Sequence, residues 1–182
     1  MPSCCRANNR RMNARLFICT LLLALNVFIQ PGHSEIIAVK AQPVPLIDAQ
    51  PEATKAGDLI FRGGLHLSAQ DNRFGGFSAL GISADGTRMI CISDHAMTYS
   101  TNLIYDQTGN LKDVGEGELS ILVGLDGEPL AGKRWSDAEA MSPGVEGEII
   151  VAFERDHRLW RYDPGATVPR VLRPPQELAD IP

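Results

Sequence analysis

Apolar residues fall into two regimes along this chain. Residues 16–29 read LFICTLLLALNVFI, a fourteen-residue run whose most polar members are Thr20 and Asn26. From Leu59 onward the apolar residues come in short runs: Leu59–Phe61, Phe77–Ile82, Met89–Ile92, Asn102–Tyr105, Leu119–Val123, Ile149–Phe153 and Leu159–Tyr162. Between them stand Ala84-Asp85-Gly86, Gln107-Thr108-Gly109-Asn110, Leu125-Asp126-Gly127 and Asp163-Pro164-Gly165. Asp-Gly and related pairs between β-rich runs signal hairpins. No window after Ile37 sustains the period of an amphipathic helix. The pattern predicts an all-β fold of antiparallel strands.

The first regime reads differently. Arg6, Arg10, Arg11 and Arg15 precede the apolar run, and no acid occurs before Glu35. A membrane span needs ~20 apolar residues, so a basic segment followed by fourteen fits the core of a secretory signal peptide better. Gln30-Pro31 ends the run, and Gly32 and Ser34 place small residues at the −3 and −1 positions of a cleavage site. Val39-Lys40-Ala41 offers a second site; an uncleaved anchor is the alternative. Residues 1–34 are therefore expected to be a signal-peptide helix, and the mature protein periplasmic or secreted, with no stable membrane span after cleavage. Cys4, Cys5 and Cys19 lie in this leader, so the mature chain keeps only Cys91 and forms no internal disulfide. Export without a disulfide suggests a bacterial source. Cys91 lies in the run MICIS and is expected in the core.

Pro43, Pro45 and Pro51 mark residues 35–56 as a linker or an extended edge segment. Residues 57–182 carry the strand pattern. The 182 residues suit one domain, and 44% hydrophobic with 21% charged residues permits a packed core. A net charge of −5 argues against nucleic acid as a partner, because such binding needs a basic face.

The strand pattern repeats. Ser78–Ser83 aligns with Asp137–Ser142, Met89–Asp94 with Ile149–Glu154, and Asn102–Asp106 with Arg158–Asp163, at offsets of 57 to 60 residues. A few short strands recurring at such a period suggest blades of a β-propeller. Propellers close with at least four blades and this length holds about two and a half. The prediction is a partial propeller, cut short at its C-terminal end.

Three sets of residues carry a resemblance. Phe74–Leu80, Ala84-Asp85-Gly86 and Ser93-Asp94 form the first, Asp137-Ala138-Glu139-Ala140-Met141 the second. The third is Val151–Arg155 followed by Arg158–Tyr162. In this order they resemble the phytase-like domain family, exported bacterial proteins described as having esterase-like activity of phytase. The resemblance covers about Leu59 to Pro182 and implies a propeller acting on a small-molecule phosphoester.

The acids are compatible with that chemistry. Asp94 and Glu154 end equivalent strands, and Asp137 and Glu139, two apart, would share one face of a strand. Asp94, Asp137 and Glu139 are candidate oxygen ligands for Ca²⁺ or Mg²⁺. A metal-bound water would serve as nucleophile. Glu154 and Arg155 are the candidate catalytic residues, Arg155 as the group that neutralises a phosphoryl oxygen. The alternatives are solvated turn carboxylates, a non-catalytic propeller that binds a ligand, or an inactive fragment. His66, His95 and His157 lack metal-ligand spacing, with His95 and His157 retained as loop candidates. Trp135 and Trp160 are expected in the core or packed between blades. No nucleophile elbow surrounds Ser78, and no phosphate-binding glycine loop occurs.

Overall fold

The computed structural model describes residues 34–144 and 146–173. The expected signal helix lies outside the described residues. Fourteen strands and one short helix follow in order: β1 (Glu35–Ile37), β2 (Val39–Pro43), β3 (Lys55–Ala56), β4 (Leu59–Ile60), β5 (Leu65–Ala69), β6 (Phe77–Ile82), β7 (Arg88–Ser93), β8 (Met97–Tyr105), β9 (Leu111–Val114), β10 (Gly117–Ile121), α1 (Lys133–Ser136), β11 (Ala138–Pro143), β12 (Ile149–Phe153), β13 (Arg158–Tyr162) and β14 (Arg170–Leu172). All pairings are antiparallel. One sheet runs β1-β10-β8-β7-β6, with β9 added to β8, and a second runs β11-β12-β13-β14. β2 pairs with β5, and β3 with β4. Among the described residues these sheets close into neither a barrel nor a propeller. No helix among them is long and apolar enough to cross a membrane.

The four predicted turn segments all connect strands or close loops as expected. Asp85 shows why: its Oδ1 accepts from the Thr87 amide (3.0 Å), the Thr87 hydroxyl (2.8 Å) and the Ser83 hydroxyl (2.6 Å). Asp106 does the same for the amides of Thr108 and Asn110 (2.8 and 2.9 Å). A short carboxylate that satisfies amides two to four residues on stabilises a tight reversal. The proline-bearing stretch 35–56 contributes β1, at the end of the larger sheet, and β2, which pairs only with β5.

Two cores hold the sheets. On β7, Met89 and Cys91 enter a cluster with Ile37, Met97, Tyr99 and Leu119, onto which Leu67 and Ala69 of β5 pack. Ile92 of the same strand enters a second cluster with Leu122, Leu130, Val151, Phe153 and Trp160, against which Ile90 also packs. Successive side chains of a strand point to opposite faces, so a strand covered on both faces must be apolar throughout, as MICI is. Cys91 is buried, and burial pushes its thiol up to about 11, which makes it a core residue. Trp160 is buried as expected. Trp135 is not: it is 47% exposed on α1, and the guanidinium groups of Arg134 and Arg158 lie 5.3 and 5.8 Å from its ring. Arg158 donates to the Trp135 carbonyl, which keeps that face of the ring next to a cation rather than to the core.

The repeat is exact at the level of backbone pairing. In the β6–β7 hairpin the paired residues are Phe77 with Ser93, Ala79 with Ile92, Leu80 with Cys91, Gly81 with Ile90 and Ile82 with Met89. In β11–β12 they are Ala138 with Phe153, Ala140 with Ala152, Met141 with Val151, Ser142 with Ile150 and Pro143 with Ile149. Each hairpin has one bulge after its first pair, leaving Ser78 and Glu139 outside the ladder. The third strands match as well, since Tyr99 pairs with Cys91 and Trp160 with Val151. This corrects two of the three alignments: Ser78 matches Glu139, two residues beyond the Asp137 it was set against, and Asn102–Asp106 does not match Arg158–Asp163. β8 is nine residues long against five in β13, and its apolar C-terminal end drew the alignment of Asn102–Asp106 four to five residues too far along. The two hairpins meet side by side, with the Ser78 hydroxyl donating to the Ala138 carbonyl (2.8 Å).

Candidate functional site

The chemistry-bearing residues gather at one end of the two hairpins. Asp94 opens the turn between β7 and β8, and its amide donates to the Gly76 carbonyl (3.1 Å). Glu154 opens the turn between β12 and β13, and its amide donates to the Asp137 carbonyl (2.8 Å). These are the same hydrogen bond in the two copies of the repeat. Gly76 therefore stands where Asp137 stands, Ser78 where Glu139 stands, and Asp94 where Glu154 stands. Only the second copy carries three acids. Gly76 has a positive φ of 63°, and a Cβ there would lie 2.9 Å from Asp94 Oδ1, so the first copy has no room for an aspartate beside its own acid. The turns themselves are tight: Ala96 and Arg155 have positive φ values of 57° and 48°. Non-glycine residues are uncommon there, and each costs roughly 1–2 kcal/mol.

Asp137 is the buried member, with its side chain 1% exposed. It caps the C-terminal end of α1 and precedes β11, so it is not the strand residue that the two-residue spacing to Glu139 suggested. The bulge at Glu139 restores the proximity that alternation on a regular strand would have provided. One oxygen each of Asp137, Glu139 and Glu154 lies within 4.8 Å of the other two. Asp94 is outside this group. Lys133 Nζ joins the two parts, 2.5 Å from Asp137 Oδ1 and 2.7 Å from Asp94 Oδ2, and it also donates to the Asp94 carbonyl (3.3 Å). Arg155 Nε donates to Asp137 Oδ2 at 2.6 Å. Both oxygens of Asp137 thus face a side-chain cation.

The electrostatics follow. The Lys133 ammonium, then the Arg155 guanidinium, hold the Asp137 carboxyl below its ordinary range against the effect of its burial. Lys133 lowers Asp94 in the same way, and is itself raised by Asp137 and Asp94. Glu139 moves the other way. Lost hydration is the largest cause, followed by the charge of Asp137, and Glu154 adds to it. A shallow depression of about 380 Å³ opens beside these acids, lined by Glu139, Ala152, Phe153, Glu154 and His157. His95 Nδ1 lies 3.9 Å from Asp94 Oδ1. His66 belongs to β5, on a different sheet from these residues.

The donor set fits a hard divalent cation. All three converging groups are carboxylates, the oxygen chemistry that Ca²⁺ and Mg²⁺ take. With Asp137 neutralised by Lys133 and Arg155, Glu139 and Glu154 supply the charge that attracts such an ion. The five residues singled out from the sequence, Asp94, Asp137, Glu139, Glu154 and Arg155, therefore share one neighbourhood. Arg155 reaches it through a carboxylate. Lys133 was missed. Its one sequence signal is the four-residue spacing to Asp137, which carries meaning only on a helix, and no helix was expected there.

A mainly antiparallel β protein with a carboxylate-rich, lysine-bridged centre at the ends of a duplicated hairpin is the class that fold and site define. The sequence profile of the phytase-like family, described as esterase-like activity of phytase, matches residues 72–182. The chain belongs to this family. The matched residues contain both hairpins and every residue of the centre. No curated protein and no solved structure gives a significant match to the chain.

Proposed function

We propose that this chain is an exported phytase-like hydrolase acting on phosphoesters, with the centre around Asp137, Glu139 and Glu154 as its active site. One observation carries the reading. Four acids and two cations, all within the family-matched residues, come together from the turns after β7 and β12, from α1 and from the bulge of β11. Export rests on the basic and apolar leader pattern of residues 1–34, and a periplasmic or secreted location follows from it. The two hairpin sheets are proposed as successive blades of a β-propeller with β6 and β11 as inner strands, a reading supported by their shared register and shared bulge.

Glu139 and Glu154, with Asp137 beside them, would hold Ca²⁺ or Mg²⁺. The ion, when bound, supplies Lewis-acid charge at a phosphoryl oxygen and acidifies a water. As the water oxygen bonds to phosphorus, Glu154, which lines the depression, would accept the water proton on a carboxylate oxygen, while the bond from phosphorus to the ester oxygen breaks and the leaving oxygen takes a proton from solvent. Arg155 keeps Nε on Asp137 and turns its terminal nitrogens toward the non-bridging phosphoryl oxygens, where charge grows in the transition state. Its side chain is 55% exposed, which leaves those nitrogens accessible. Asp137 thereby orients Arg155 and touches no substrate.

The test is turnover of p-nitrophenyl phosphate, bis-p-nitrophenyl phosphate and myo-inositol hexakisphosphate by purified protein, with Ca²⁺ or Mg²⁺ and with EDTA. Hydrolysis that EDTA abolishes, and that Glu154→Gln lowers at least about 100-fold, is expected. Turnover of p-nitrophenyl acetate alone, or of no ester, refutes the phosphoester reading.

A further inference from the structure

Lys133 has an ion-pair arrangement unlike that of a surface lysine. Its ammonium lies between a carboxylate of the first hairpin and the buried carboxylate of the second, at 2.7 and 2.5 Å, with a third contact to the Asp94 carbonyl. All of these partners are oxygens, two of them charged. They are the ligands a divalent cation would seek, and Asp137 belongs to the group of three that can share an ion. Lys133 is thus a cation fixed by its own chain on the edge of the metal-binding position.

We propose that Lys133 sets the metal affinity of this centre by acting as a tethered competitor for Asp137 and Asp94. The proposal rests on the metal-assisted reading above. It assigns the lysine a role as a positioning and affinity-determining residue rather than as a substrate ligand. With Lys133 seated, a divalent ion meets a carboxylate already neutralised from two sides, and binds mainly through Glu139 and Glu154. With its charge removed, Asp137 Oδ1 becomes free for the ion and a unit positive charge disappears from within a few ångströms of it. Two like charges that close oppose one another even at high dielectric, and a divalent ion doubles the effect. The expected outcome is tightening of about tenfold or more. Because Lys133 also joins the two hairpins, tight metal binding and the Asp94–Asp137 bridge exclude one another.

The experiment is isothermal titration of the wild type, Lys133→Met and Lys133→Arg with CaCl₂ and with MgCl₂, alongside circular dichroism melts of each. Lys133→Gln, whose amide still donates to Asp137, replaces Lys133→Met if the latter does not fold. Support is affinity raised about tenfold or more in the neutral variant, with the arginine variant within about threefold of wild type. Binding in the neutral variant with none detectable in the wild type overturns the metal-assisted reading, and with it the proposal that rests on it. Equal or weaker binding in the neutral variant overturns the proposal and leaves the metal reading standing. Absence of binding in every variant overturns both.

Discussion

Val151 and Val171 flank the same residue, Trp160, on neighbouring strands, yet they should respond very differently to the same change. Val151 is 0% exposed and belongs to the core between the two sheets, whereas Val171 is 54% exposed. Valine to alanine removes two methyl groups. At ~0.8 kcal/mol each, the lost transfer energy for a fully buried site is ~1.6 kcal/mol. If about 50 Å³ of space stays unfilled, the cavity adds ~1.2 kcal/mol at 24 cal/mol per Å³. Val151→Ala should therefore lower stability by about 2–3 kcal/mol, and Val171→Ala by less than about 0.5 kcal/mol. Equilibrium unfolding in urea, followed through tryptophan fluorescence, measures both, since Trp160 sits in the affected cluster. The midpoint should move while the slope does not. A loss below about 1 kcal/mol in Val151→Ala, or an equal loss in Val171→Ala, would show that the sheets do not pack through this face of β12.

Two further outcomes concern the larger sheet. A Cβ at Gly117 would run into Cε2 of Tyr99, a fully buried ring held edge-on by Phe74 at 4.9 Å, so Gly117→Ala should cost about 1–3 kcal/mol in thermal or urea unfolding. An unchanged melting temperature would mean the ring can move aside. The turn carboxylates Asp85 and Asp106 are held down to about 2, the first chiefly by the Ser83 hydroxyl and the second chiefly by the Asn110 amide, from an ordinary 3.8. Groups with lowered folded-state values stabilise above their unfolded pKa and lose that contribution as pH falls through the folded one. The melting temperature should therefore drop between about pH 4 and pH 2, and less steeply in an Asp85→Asn, Asp106→Asn double variant. Parallel curves for the two proteins would contradict it.

The hairpins and their turns were legible because their signals are local. An apolar run such as MICI, closed by Asp85-Gly86 on one side, needs no distant partner to be recognised. β9 was not, since LKDV is short, mixed in polarity and given strand form only by the strand it joins; β1 and β2 were legible only as an extended edge segment, because nothing in EII or VKAQP names a partner strand. β5 is a different miss, because LHLSA does alternate, but it was too short to stand out beside the glycines before it. At the site, Asp94 and Glu154 were found because they end strands that repeat, and Asp137 and Glu139 because they stand two residues apart. Their connections were not, because Lys133 and Asp94 are brought together by how two hairpins sit side by side. Nothing in the order GKRW announces a bridge to a residue in another sheet. Trp135 failed for the converse reason: large aromatic area is a sound guide to burial on average, but here the ring lies on a four-residue helix between two arginines.

The matched bulges at Ser78 and Glu139 bear on how such a centre can change over evolutionary time. A residue outside the ladder contributes no cross-strand pair, so the hairpin's register does not depend on which side chain occupies that position. In one copy the position holds a serine that sews two strands together, and in the other a glutamate that converges with two further carboxylates. The same backbone thus presents a socket in which adhesive and acidic groups are interchangeable. Duplication followed by substitution at that socket can create, move or erase an acidic centre while the surrounding strands keep their partners.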